Sequence, residues 1–153
     1  MKIREATPDD ANEVGALAEE FANYLRSLGD ESDFRFNASI YLRDGFGKEP
    51  AFRGLVAEID GKIAGYLLYH SGYDTDLAMR ILHVVDLYVR PDCRRQGVGK
   101  ALMKRAGEIC AKAGGKGLFW GVYSPNRGAF EFYERLGARY TEDLKFMYLP
   151  LQG

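Results

Sequence analysis

The stretch Arg94-Arg95-Gln96-Gly97-Val98-Gly99-Lys100 decides how the rest of the sequence is interpreted. It follows an apolar run, Ile81 to Val89, and precedes a segment with helical spacing of apolar residues, Ala101 to Ala113. A strand, a short glycine-containing loop and a helix together present unpaired backbone N–H groups and the positive end of a helix dipole to an anion. Glycines lack a Cβ, so a phosphate can approach the backbone. The stretch predicts a site for a phosphate-bearing ligand; the alternative is an ordinary strand-to-helix turn with solvated arginines.

A second motif follows the first along the chain. The first has the form Arg94-x-x-Gly97-x-Gly99, and the second reads Asn126-x-x-Ala129-x-x-Phe132-Tyr133-x-x-x-Gly137-Ala138. In this order the pair resembles the GNAT superfamily of acetyl-CoA-dependent N-acetyltransferases. The resemblance implies acetyl-CoA as cosubstrate, direct attack by an amine without a covalent enzyme intermediate, and no metal.

The resemblance also implies roles for particular residues. Backbone groups of Leu87 to Val89 would align the pantetheine and the thioester, and the loop from Arg95 to Lys100 would hold the pyrophosphate, with Arg94 completing the motif. Asn126 would contact the pantetheine arm. The implied cofactor-binding residues are Leu87, Tyr88, Val89, Arg94, Arg95, Gln96, Gly97, Val98, Gly99, Lys100, Asn126 and Ala129.

Tyr133 and Asp86 are the candidate catalytic residues. By resemblance Tyr133 gives its phenolic proton to the coenzyme A sulfur, and the alternative is a core aromatic, because it lies beside the helix face that carries Phe132 and Leu136. Asp86 stands in an otherwise apolar strand, where a carboxylate is costly to bury unless it is paired or faces a cleft. It is therefore either a paired structural residue or the group that orients or deprotonates the amine.

Further likeness points to one branch of the superfamily. Leu42-Arg43-Asp44-Gly45-Phe46-Gly47 and Leu55-Val56-Ala57-Glu58 are similar to the diamine acetyltransferases, which include spermidine/spermine and thialysine acetyltransferases. The likeness implies that Tyr24, Asp74 and Asp86 line the amine site. Where that branch carries acids, this chain has Leu25 and Val85. A smaller amine or an amino acid with a side-chain amine is therefore as plausible an acceptor as a polyamine.

Other functions remain open on the sequence alone. A protein acetyltransferase acting on a terminal or lysine amine is one, and a catalytically silent acyl-CoA-binding module is another. A nucleotide phosphate site is disfavoured, because the sequence has no G-x-x-x-x-G-K-S/T motif.

Composition narrows the class of protein. At 153 residues and 46% apolar content the sequence predicts one domain, residues 1–153, with a single core. A net charge of -1 argues against a nucleic-acid partner. Cys93 and Cys110 have no paired spacing and no neighbouring histidine cluster, so we expect neither a disulfide nor a metal site. No apolar run is long enough for a membrane span and no signal core begins the chain, so we expect a cytoplasmic protein without a membrane partner.

The pattern of elements predicts an α/β fold. Strands alternate with helices around residue 97, and Asp60-Gly61 favours a hairpin turn between two strand-like runs. The GNAT fold implied by resemblance has a mixed, mostly antiparallel sheet of about seven strands, flanked by four helices and splayed at the acetyl-CoA site. Arg139 to Leu149 is expected to close this sheet as a hairpin or paired strand. Its apolar part, Lys145 to Leu149, together with the resemblance, predicts a homodimer.

Overall fold

A computed structural model describes residues 1–152 and gives five strands and four helices in that part of the chain. Two short 3-10 turns, Pro8–Asp10 and Pro91–Cys93, lie between these elements. In chain order the elements are β1 (Lys2–Glu5), α1 (Ala11–Ser27), α2 (Ala38–Asp44), β2 (Arg53–Ile59), β3 (Lys62–Asp74), β4 (Met79–Val89), α3 (Val98–Lys112), β5 (Gly117–Phe119) and α4 (Arg127–Arg135).

The strands form one sheet in the order β1-β2-β3-β4-β5. Neighbouring pairs are antiparallel except β4 and β5, which are parallel because α3 returns the chain between them. Asp60 and Gly61 have φ angles of 51° and 76°, the left-handed values that a two-residue hairpin turn requires. The predicted hairpin between β2 and β3 is confirmed. α2 begins at Ala38, where the Asn37 side chain accepts a hydrogen bond from the Ile40 N–H at 3.0 Å.

Each face of the sheet buries its own apolar cluster. Leu55, Leu67 and Val84 face α3, where Leu102 is fully buried against them. On the other face Val56, Tyr66 and Tyr88 pack with residues of α1 and α2. Strand residues alternate between the two faces, except where a bulge in β3 or β4 shifts the alternation by one residue. The result is a sheet with helices on both sides, as the pattern of elements predicts.

The expectation of about seven strands is wrong for the described chain. Arg139 to Leu149 is not a strand but an irregular segment without strand pairing. β5 is three residues long, although the apolar alternation of Leu118, Trp120 and Val122 predicts a longer strand from Lys116 to Tyr123. Phe146 and Met147 are 87% and 97% exposed, so no other part of residues 1–152 covers them. An apolar pattern predicts a strand, but the strand forms only where a partner edge is available. None of the helices within residues 1–152 combines the length and apolarity needed to cross a membrane.

Candidate active site

A cleft opens where β4 and β5 separate. Their parallel pairing covers only Ile81 to His83 against Gly117 to Phe119, and β4 then continues to Val89 without β5 beside it. The gap leads into a cavity of about 910 Å³. Its wall includes Leu87 to Val89, the strand segment predicted to align the pantetheine. The splay that the fold resemblance implies is therefore present, and it exposes a strand edge whose backbone groups can pair with an extended ligand.

A β-bulge determines which way Asp86 points. Leu68 of β3 lies opposite Asp86, but the next residue, Tyr69, lies opposite Val84, so Val85 is an inserted residue without a partner. Directly opposed residues share a sheet face. Asp86 therefore lies on the face of Leu68 and α1, whereas an unbroken register would put it on the α3 face with Val84. The bulge delivers the carboxylate into the cleft.

Asp86 is partly buried at the cleft wall and accepts one hydrogen bond. The Tyr66 hydroxyl donates to its Oδ2 at 3.2 Å. Burial raises the pKa of Asp86 from 3.8 to about 6, and the Tyr66 hydrogen bond opposes the rise. The same arrangement raises the pKa of Tyr66 well above 10, mainly through burial. A carboxylate with a pKa just below neutrality can both hold an ammonium group and accept a proton.

Tyr133 reaches the same cleft from α4. Its ring packs on Trp120, with centroids 4.7 Å apart, and on Phe132 at 5.1 Å. Burial raises the pKa of Tyr133 to about 12, and the negative charge of Asp86 adds to the rise. Tyr133 is thus partly a packing residue, as the alternative interpretation held, and its phenol also borders the cleft with Asp86.

The loop before α3 has the geometry of an anion cradle. Arg95 and Gly97 have φ angles of 63° and 78°, and Gly97 is the N-terminal cap of α3 without a capping side chain. From Arg95 to Lys100 no backbone N–H donates to an acceptor within residues 1–152, and the first bond of the helix runs from the Ala101 N–H to the Gly97 carbonyl at 2.9 Å. Successive unpaired N–H groups at a helix start bind phosphate oxygens.

The two glycines of the loop have different structural roles. A Cβ at Gly97 would meet no atom within 4 Å. Position 97 requires glycine because its φ is positive and because a side chain would fill the open space above the loop. A Cβ at Gly99 would lie 3.0 Å from Cζ of Phe132. Gly99 therefore allows α4 to pack against the start of α3, and this packing holds Tyr133 next to the loop.

Arg94 lies apart from the loop's N–H groups. Its Nε donates to the Val89 carbonyl at 3.0 Å, and its guanidinium sits 5.7 Å from the ring centroid of Tyr24 and 5.6 Å from that of Tyr88. The side chain thus links the end of β4 to α1 through cation–π contacts. The Tyr24 hydroxyl donates to Oδ1 of Asn126 at 3.3 Å, across the cleft.

Asn126 is a buried cap of α4. Its Oδ1 also accepts the Ala129 N–H at 3.3 Å, and the residue is only 8% exposed. The structure brings together nearly all of the predicted site residues around the cleft. They are Tyr24, Asp86, Leu87, Tyr88, Val89, Arg94, Arg95, Gly97, Val98, Gly99, Lys100, Asn126, Ala129 and Tyr133.

Two predicted residues do not line the cleft. Gln96 donates its side-chain N–H to the Asp92 carbonyl at 3.3 Å, so only its backbone belongs to the loop. Asp74 lies at the far end of β3, where its carboxylate accepts the Leu77 N–H at 3.0 Å in the turn to β4. It is six residues beyond Leu68, the partner of Asp86, which corresponds to about 20 Å along a strand. Within this chain Asp74 is a turn residue.

Sequence reasoning missed Tyr66 and Trp120. Tyr66 supplies the hydrogen bond to Asp86, but its position follows from the β3–β4 register, which no local signal gives. Trp120 is the single tryptophan of the chain and stands at the end of β5, which is a signal that could have been used. His70 and His83 stack on each other at 4.8 Å and do not border the cleft. No cluster of three or more metal-ligating His, Cys, Asp or Glu side chains occurs in the described part of the chain.

Comparison with known proteins agrees with this geometry. The model of the acetyltransferase (GNAT) family matches residues 16–138. The thialysine N-epsilon-acetyltransferase of Bos taurus is 33% identical over 147 residues, covering 91% of this chain and 84% of that protein. The human spermidine/spermine N(1)-acetyltransferase-like protein 1 is 28% identical over 145 residues, which cover 90% of this chain and 20% of that protein. A mutant of the BH1408 protein from Bacillus halodurans superposes with a TM-score of 0.81 at 25% identity, covering 99% of this chain and 100% of that one.

Proposed function

The chain is an N-acetyltransferase that belongs to the acetyltransferase (GNAT) family, and we propose that it acetylates the primary amine of a small molecule with acetyl-CoA. The acceptor would be a diamine, a polyamine or an amino acid with a side-chain amine, in line with the names of the relatives. The proposal rests on one observation. A single cleft brings together the unpaired edge of β4, the loop with unpaired backbone N–H groups, the Asp86 carboxylate and the Tyr133 phenol.

The residues present fit acetyl-CoA. The N–H groups from Arg95 to Lys100 would hold the pyrophosphate, with the cationic side chains of Arg95 and Lys100 at the cleft wall. The free edge of β4 would pair with the pantetheine amides. When bound, acetyl-CoA supplies a thioester whose carbonyl carbon an amine can attack.

Asp86 and Tyr133 would carry the proton transfers. An amine reaches the site as an ammonium ion, which the Asp86 carboxylate holds and helps to deprotonate. A C–N bond forms to the acetyl carbon and the C–S bond breaks, and Tyr133 gives a proton to the departing sulfur. Of the two protons that the ammonium ion loses, one is returned to the Tyr133 phenolate and the other leaves through Asp86 to solvent, so protons balance.

We further propose a homodimer and a cytoplasmic location. The apolar residues between Lys145 and Leu149 are uncovered in the single chain and would lie at the dimer interface. Cys93 and Cys110 are both free thiols, which suits a reducing compartment.

Thiol release from acetyl-CoA in the presence of a panel of amines tests the function. The panel contains aliphatic monoamines, diamines, polyamines, lysine, ornithine and a lysine-containing peptide. We expect turnover with small amines and little with the peptide. Preferential acetylation of the peptide would indicate a protein acetyltransferase, and binding of acetyl-CoA without turnover of any amine would indicate a silent binding module.

A further inference from the structure

The acceptor side of the cleft has one carboxylate set in an apolar wall. Val85, the inserted bulge residue, precedes Asp86 along β4, and Phe21 and Leu25 of α1 line the same cleft. Val85 is 45% exposed, and Leu25 is half-buried. Exposed apolar side chains that line a cleft favour an apolar part of a ligand.

The charges that border the cleft disfavour a second cation. The carboxylates among the lining residues are Asp86 and Glu131, whereas the basic ones are Arg94, Arg95, Lys100 and Arg135. Glu20 is near, because it accepts the Tyr88 hydroxyl at 3.3 Å, but it is exposed and does not line the cleft.

Arg94 reaches the acceptor side of the cleft, because its guanidinium lies 5.6 Å from the ring centroid of Tyr88, which is on the same sheet face as Asp86 two residues along β4. Its guanidinium is held between the Tyr24 and Tyr88 rings, and in residues 1–152 no carboxylate lies within 4.0 Å of it. A second ammonium group on the acceptor would meet this fixed positive charge without a partner of its own, and like charges in a cleft repel.

On the premise of the acetyltransfer reaction above, we propose a narrower acceptor class than the names of the relatives suggest: among small amines, the preferred acceptor carries a single positive charge, that of the reacting amine, on an apolar body, and diamines and polyamines are poorer acceptors. Val85 and Leu25 contact this body, and Arg94 excludes a second cationic group. Val85 is then a specificity-determining residue, because it occupies the position next to Asp86 where a carboxylate would accept a second ammonium group.

Two acceptors of equal chain length test this preference. The values of kcat/KM are measured for hexylamine and for 1,6-diaminohexane, with the diamine value halved for its two equivalent amines. We expect hexylamine to be at least tenfold better. An equal or higher value for the diamine would overturn the proposal while leaving the acetyltransfer reaction intact. If no amine in the panel is turned over, the proposed function itself has failed.

A matched pair of variants makes the test specific to charge. Val85→Glu adds a carboxylate beside Asp86, and Val85→Gln adds a side chain of the same size without charge. Val85 has no cross-strand partner, so both variants should fold. We expect Val85→Glu to raise the diamine-to-hexylamine ratio by tenfold or more and Val85→Gln to leave it within about twofold. Equal shifts in both variants would show that size, not charge, sets the preference.

Discussion

Tyr133 keeps its proton throughout the neutral range, because burial and the Asp86 charge raise its pKa to about 12. A buried phenol of this pKa is always available as a donor, although it gives up its proton less readily than a free phenol. Its position against Trp120 holds the ring in one orientation. The proposed mechanism uses that fixed hydroxyl at the departing sulfur.

Tyr133→Phe should lower kcat by roughly 10²-fold or more, because the ring packing remains and only the proton donor is lost. The affinity for acetyl-CoA, measured by titration calorimetry, should change little. Turnover at the wild-type rate across the pH range, with chemistry shown to be rate-limiting, would return Tyr133 to a packing role.

Asp86 should give activity a pH dependence of its own. Its pKa is about 6, so kcat/KM for the amine should rise as pH increases through that value and the carboxylate ionises. Asp86→Asn should abolish this increase in kcat/KM near pH 6 and raise the KM for the amine. The further increase in kcat/KM at higher pH, which comes from deprotonation of the free amine, should remain. An increase in kcat/KM near pH 6 that persists in the variant would mean that another group titrates there.

The same pKa makes a stability prediction. The folded state holds the Asp86 proton more tightly than the unfolded chain, so the protonated residue stabilises the fold. This stabilisation is fully present below about pH 4 and is lost as pH rises through 6. At neutral pH the ionised carboxylate therefore lowers the free energy of unfolding by up to about 3 kcal/mol. Asp86→Asn should therefore be more stable than wild type in urea unfolding at pH 7.5, with the difference vanishing near pH 4. An equal difference at both pH values would contradict the burial argument.

At the residue scale, the identity of the motif residues could be predicted from the sequence, but the direction in which their side chains point could not. A carboxylate in an apolar strand marked Asp86, and a motif marked Tyr133. The bulge at Val85, which aims Asp86 at the cleft, depends on the pairing of two strands and has no local signature. Asp74 does not line the cleft of the single chain for a related reason, since β3 extends far beyond the cleft before its turn.

At the element scale, the loop and the start of α3 form one unit for anion binding. Gly97→Val forces a β-branched residue into a positive φ of 78° and fills the space above the loop. Acetyl-CoA at 100 times its Kd should stabilise wild type by about 2.7 kcal/mol. We expect the variant to fold with a lower Tm and to lose this protection in thermal unfolding.

Gly107→Val is the matched control for the loop, because Gly107 lies within α3 and an added side chain there meets nothing within 4 Å. It should keep full protection by acetyl-CoA. If Gly97→Val is protected as well as this control, the assignment of the pyrophosphate to the loop is wrong.

The order of elements was predictable up to α4, because hydrophobic period, glycines and the Asp60-Gly61 turn all agree there. The C-terminal segment was not. Its apolar residues predict a strand, but a strand forms only against the free edge of another strand, and the apolar pattern does not show which edge is available. The shortening of β5 has the same origin, since Trp120 and Val122 line the splayed cleft instead of continuing the sheet.

At the scale of the whole molecule, the C-terminal segment is the largest departure from a self-contained domain. Its large apolar side chains between residues 144 and 151 are 70% to 97% exposed, and a monomer seldom leaves so many together in water. The exposed residues are Leu144, Phe146, Met147, Tyr148, Leu149 and Leu151. A second copy of the chain would bury them at a shared interface.

Light scattering should therefore give about twice the monomer mass of 17.2 kDa. Phe146→Asp places a charge in the proposed interface and should raise the dimer dissociation constant by at least tenfold, because burying an unpaired carboxylate costs free energy. Leu77→Asp is the control: Leu77 is 62% exposed in the β3–β4 turn, away from the segment, and its variant should remain dimeric. A wild-type mass near 17.2 kDa at every concentration would remove the dimer, and loss of dimer in both variants would place the interface elsewhere.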